Sequence, residues 1–150
     1  NNKEIAMTTV DRPYQTSYMT LHPLHAVLLA STIPLFLGAL LSDIAYYQSY
    51  EIQWSNFSSW LIAGDLVFAG LALLCGIIGL FHAEGRGDRG VIYIALLLAA
   101  WIMGFINALV HAKDAWATMP MGLILSVIVI LLVCAATAVR FSSHRVGGAV

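Results

Sequence analysis

The chain has 150 residues, 10% of them charged and 60% hydrophobic, with a mean hydropathy of +0.84; soluble domains carry about a quarter of their residues charged, so an ordinary soluble fold is excluded. Seven Lys and Arg against eight Asp and Glu leave a net charge of −1, which offers no basic face to nucleic acid and no acidic tail to a cationic partner. Cys75 and Cys134 lie inside apolar runs, form no CxxC and read as small buried hydrophobes.

Residues 1–20 are polar, of mixed charge and without the pattern of a signal peptide, and read as an N-terminal tail. Four stretches then lack Asp, Glu, Lys and Arg altogether: Pro13–Ser42, Leu66–Ala83, Gly90–Ala112 and Ala115–Val139, of 30, 18, 23 and 25 residues. About 20 apolar helical residues cross a roughly 30 Å hydrocarbon core. The spacing therefore predicts an all-α, four-helix transmembrane bundle over residues 21–142, with 143–150 as a C-terminal tail.

The first span starts at His22-Pro23-Leu24-His25, where Pro23 suits a first helical turn, and runs to Asp43. Pro34 inside it removes a backbone hydrogen bond and predicts a bend around Ala30–Pro34. The connection over 44–59 carries Tyr46, Tyr47, Tyr50, Trp54 and Phe57, an aromatic density that predicts a segment hugging the headgroup boundary. The second, third and fourth spans are expected over Trp60–Phe81, Val91–His111 and Met119–Phe141. Small residues at Ala100, Gly104, Ala108 and Ala112 make a stripe on the third span that suits close helix packing, within the bundle or in a homo-oligomer.

Four crossings place Lys3, Arg12, Arg86, Arg89, Arg140 and Arg145 on one side and only Lys113 on the other. Basic flanks resist translocation, so both termini of this multi-pass protein are expected to be cytoplasmic.

Polar residues inside the spans are the candidates for function, because lipid makes them costly. Asp65 lies about five residues into the second span and needs a proton, a partner or water. Asn107 and His111 are four apart on the third span and share the side of Gly104 and Ala108. With Asp43 they predict a polar cluster at the outer end, Asp43, Asp65, Asn107 and His111, covered by Trp54 or Trp116. It would bind a small headgroup such as a quinone or pass a proton, since an imidazole beside a carboxylate exchanges protons near neutral pH. Helix capping is the plainer explanation for His111 and Lys113.

At the inner end His22 and His25 open the first span and His82 closes the second. Bis-histidine ligation of haem b needs imidazoles from two facing helices, which topology allows for His25 with His82; a metal site from His22, His25, His82 and Glu84 is a further alternative, and interfacial anchoring is the default. No GxxxxGK[ST], HExxH, GxSxG or CxxCH occurs.

His22-Pro23-Leu24-His25, the apolar run with Pro34, Gly38-Ala39-Leu40-Leu41-Ser42-Asp43 and the glycine-spaced second span resemble the bacterial membrane proteins catalogued as domain of unknown function 2231. Ile52–Phe57, Phe105–Ala112 and Asp114–Pro120 resemble one branch of that family, and the resemblance covers about 20–140. Many members carry a further histidine where this chain has Ala30. The resemblance implies a multi-pass protein of the bacterial inner membrane, placed beside periplasmic dehydrogenases of the sorbosone-dehydrogenase type and c-type cytochromes, and thus electron transfer to quinone. Three functions are expected to compete: a quinone-interacting accessory subunit of a redox system, a cofactor-free structural or assembly subunit of a larger membrane complex, and a bis-His haem b protein.

Overall fold

A computed structural model describes residues 23–81 and 88–142. Four long helices, α1 (Pro23–Ser49), α2 (Ile52–Phe81), α3 (Asp88–His111) and α5 (Met121–Ser142), run alternately up and down, with a single turn, α4 (Ala115–Thr118), before the last. No strand occurs among the described residues. All four long helices are long and apolar enough to cross a membrane. Each packs on two neighbours, α1 on α2 and α5, and α3 on α2 and α5, so residues 23 and 142 lie at the same end.

The core has two centres. Leu28, Leu29, Leu73, Tyr93 and Leu97 fill the end near the described termini, and Phe36, Ala100, Val129 and Val133 fill the middle. Side chains as large as Trp60, Phe81 and Leu131 stay exposed on the outer surface, as a lipid-facing surface requires. Lipid tails are as apolar as leucine, so helix association rests on close packing and polar links instead. Gly104 shows the close packing: a Cβ there would stand 3.2 Å from both Phe36 Cζ and Leu66 Cδ2. The small-residue stripe faces inward at Ala100 and Gly104, is half-buried at Ala108 and is exposed at Ala112, which lies past the helix end.

Two sequence expectations need correction. The 44–59 connection is not a membrane-hugging segment, because α1 continues to Ser49 and α2 begins at Ile52, leaving only Tyr50 and Glu51 between them. The loss of charge-free hydropathy near Asp43 marks where polar side chains begin; it does not stop helical hydrogen bonding. Tyr50 makes the tight reversal with φ 54°, and its N–H donates to the Tyr46 carbonyl at 2.8 Å. The cysteines are not buried hydrophobes either: Cys75 is half-buried and Cys134 exposed, both as free thiols. In a membrane bundle the apolar outside accepts such residues as readily as the core does. Pro34 lies inside α1, whose helix is unbroken through it.

Gly64 and Gly79 have nothing within 4 Å of an added Cβ. Gly79→Ala should therefore raise the melting temperature in detergent, since alanine is favoured over glycine in a helix by about 0.5–1 kcal/mol. A lowered melting temperature would show that a second helix packs on this face.

Candidate functional site

In each long helix a polar residue continues the inward stripe that elsewhere holds the core. α1 buries Phe36, Ala39, Asp43 and Tyr46; α2 buries Ser55, Ser58, Ile62, Asp65 and Ala69; α3 buries Ala100, Gly104, Asn107 and His111; α5 buries Gly122, Ser126, Val129 and Val133. The three-to-four spacing is that of one helix face, so the same periodicity that packs the core brings polar groups together at the end opposite to residues 23 and 142.

There Asp43, His111, Asn107 and Ser126 form a closed ring of hydrogen bonds. The Asn107 side-chain amide donates to Ser126 Oγ at 2.8 Å, and Ser126 Oγ donates to Asp43 Oδ2 at 2.5 Å. Asp43 Oδ1 lies 2.8 Å from His111 Nε2, and His111 Nδ1 donates to the Asn107 backbone carbonyl at 3.0 Å. Ser58 joins from α2: its Oγ donates to the Ala39 carbonyl at 3.3 Å and sits 3.4 Å from His111 Nε2. All four long helices are thereby linked.

A carbonyl can only accept, so His111 Nδ1 must carry a hydrogen. One further proton is then shared between Nε2 and the Asp43 carboxyl, either as imidazolium facing carboxylate or as neutral imidazole facing carboxylic acid. Both forms are neutral overall, which lowers the cost of placing two ionisable groups inside the bundle. The geometry is not that of a nucleophilic triad, in which acid and hydroxyl engage opposite ring nitrogens; here Asp43 and Ser58 both face Nε2.

Of the residues expected at this end, Asp43, Asn107 and His111 are brought together and buried. Asp65 is fully buried but stands outside the ring, two turns along α2 from Ser58, with neither carboxyl oxygen hydrogen-bonded. Contacts of Ser58 with Ala39 and of Gly76 with His25 set the α1–α2 register and place Asp65 level with the Thr32–Phe36 turn. Trp54 is exposed on α2, and Trp116 is 78% exposed, stacked on Tyr50 with ring centroids 5.8 Å apart. Neither tryptophan covers the ring as a lid.

At the other end His25 is buried and its Nε2 lies 3.0 Å from the Tyr93 hydroxyl. His22, His82 and Glu84, the remaining candidate haem or metal ligands, lie outside the described residues. Among the described residues no group of three or more His, Cys, Asp or Glu could hold a metal ion. Sequence reasoning missed Ser58, Ser126, Tyr93 and Arg140. A signal existed for one: Ser126 and Thr137 are the only hydroxyl residues in 121–139, and a lone hydroxyl in an aliphatic span marks a polar neighbour.

Neither the curated proteins nor the solved structures hold a match to this chain. The family model described as predicted membrane protein, domain of unknown function 2231, matches residues 21–139, which include all four long helices but for the last residues of α5. With most of its length matched, the chain belongs to that family of membrane proteins.

Proposed function

We propose that the protein is a small accessory subunit of a redox system in the bacterial inner membrane, with both termini cytoplasmic, and that its polar ring exchanges a proton with a quinone-type headgroup. The observation that carries this reading is the 2.8 Å contact of Asp43 Oδ1 with His111 Nε2 inside a hydrogen-bonded ring; such a contact calls for a proton between the two atoms, and a shared proton is one that a neighbour can draw on or refill. The exposed rings of Tyr50 and Trp116, stacked on each other at this end, offer flat faces on which a headgroup would stack. The excess of Lys and Arg on one side supports the orientation.

His111→Gln is the test. Quinol-linked electron transfer in membranes carrying this variant should fall by about 100-fold, the scale for loss of an acid–base group, and quinone should co-purify with the wild-type protein. Unchanged electron transfer, together with a wild-type preparation free of quinone, would refute the proposal.

The closure of the ring favours a second reading, a cofactor-free structural or assembly subunit. Only Asn107 Oδ1 is left without a partner there, so the ring is nearly complete as it stands. On that reading His111→Gln lowers the melting temperature of the protein and leaves electron transfer untouched.

A further inference from the structure

The end of the bundle opposite the ring holds a second polar group with the reverse imbalance. Tyr93 of α3 is its centre: His25 of α1 meets the Tyr93 hydroxyl at 3.0 Å with the rings edge to face, and the Arg140 guanidinium of α5 stands 5.7 Å from the Tyr93 ring centroid. Thr137 lies one turn before Arg140, on the same side of α5. These side chains are close-packed as well as polar, for a Cβ on Gly76 would stand 3.4 Å from the Tyr93 ring and 3.7 Å from His25 Cε1.

The hydrogen-bond inventory of this group does not close. The Tyr93 hydroxyl has His25 Nε2 as its partner at 3.0 Å; in the tautomer in which the hydroxyl donates, the imidazole hydrogen sits on Nδ1. His25 Nδ1, Thr137 Oγ1 and Arg140 Nε are all buried and without a hydrogen-bond partner. Arg140 Nε can only donate and belongs to a cation, the Thr137 hydroxyl can donate, and His25 Nδ1 donates in that tautomer; buried groups of this kind are normally satisfied. Among the described residues the carboxylate at this end is Asp88, which is exposed at the start of α3; the ion pair found among them is the distant Asp43–His111 contact.

Donors without acceptors around a guanidinium call for an anion. We propose that His25, Thr137 and Arg140 form a binding site for a phosphate group at this end of the bundle. A phosphate presents several acceptor oxygens to donors arriving from different helices, and arginine is the residue that matches it best. Basic pockets between membrane helices near a surface recognise anionic lipid headgroups, and the same donors would hold free phosphate. The site is independent of the ring and of its proton.

The full chain purified in detergent tests this by native mass spectrometry after incubation with phosphatidylglycerol or phosphatidylcholine, and by thermal melting with added inorganic phosphate. Retention of phosphatidylglycerol should exceed that of phosphatidylcholine and fall about tenfold in Arg140→Gln, the change expected when a charge-assisted hydrogen bond is lost. Thr137→Val, nearly the same size, should weaken retention several-fold and serves if Arg140→Gln does not fold. A melting shift with phosphate that either variant abolishes, without lipid retention, assigns the site to the free ion. Equal retention of both lipids with no phosphate shift, or binding unchanged in both variants, overturns the proposal.

Discussion

Asp43→Leu is expected to destabilise the protein by about 3 kcal/mol or more, while Asp43→Asn should cost about 1 kcal/mol. Removing one member of a buried pair leaves the other without compensation, at about 3–5 kcal/mol in proteins generally. Leucine would strand both His111 Nε2 and the Ser126 hydroxyl, which Asp43 now engages at 2.8 and 2.5 Å. Asparagine can fill both roles: its amide donates to Nε2 of a neutral His111 and its carbonyl accepts from Ser126. The ring would survive with the shared proton removed. Melting in detergent of both variants measures the difference, and equal losses would show that hydrogen-bond closure does not hold this end together. Asp43→Asn is also the variant for function, since it takes away the exchangeable proton and keeps the packing.

The second large effect is expected at a position that bears no side chain. A Cβ on Gly122 would stand 2.8 Å from His111 Cε1 and 2.9 Å from Thr118 Cγ2. Neither neighbour is free to move aside. His111 is held at both ring nitrogens, and Thr118 Oγ1 donates to the Val110 and Asp114 carbonyls at 3.4 and 3.3 Å. Gly122→Ala should cost about 1–3 kcal/mol, the range for overpacking, although alanine is the better helix former. His111→Ala should relieve much of that cost, so the double variant will be more stable than the two single losses predict. Simple additivity would mean that α5 shifts away from His111 without strain.

The four spans were legible because hydropathy and the absence of charge report membrane burial directly, and the starts of α1 and α3 and the ends of α2 and α5 fall within about three residues of the sequence expectation. The tip of the α1–α2 hairpin was not legible. Gln48, Ser49, Gln53 and Ser55 are polar yet helical, and hydropathy cannot distinguish a polar helix from a loop. Asn107 and His111 showed themselves by sharing the face of Gly104, and Asp43 by its place at the end of a charge-free run. Ser58 was hidden in a run with Ser55 and Ser59 that reads as a connection. Asp65 faces inward as expected, but α2 starts at Ile52 and not at Trp60, so it lies deeper along the bundle than the ring. Tyr93 and Arg140 were missed because an aromatic and a basic residue near helix ends are ordinary interfacial anchors until their partners are known.

The unequal lengths of the helices have a consequence for the bilayer. At 1.5 Å per residue α3 and α5 measure about 36 and 33 Å, and α1 and α2 about 40 and 45 Å. The two shorter helices match a typical hydrocarbon core closely and therefore set the hydrophobic thickness that the protein prefers. The hairpin tip must then stand clear of the hydrocarbon, and His111, the last residue of α3, falls at its boundary. Hydrophobic mismatch costs fractions of a kcal/mol per Å, so a membrane thicker by a few Å would draw this boundary over the end of the bundle that encloses His111 and Asp43, and a thinner one would leave the outer surface of that end in water. Bilayer thickness thus becomes a control on the medium around the end of the bundle that holds the ring.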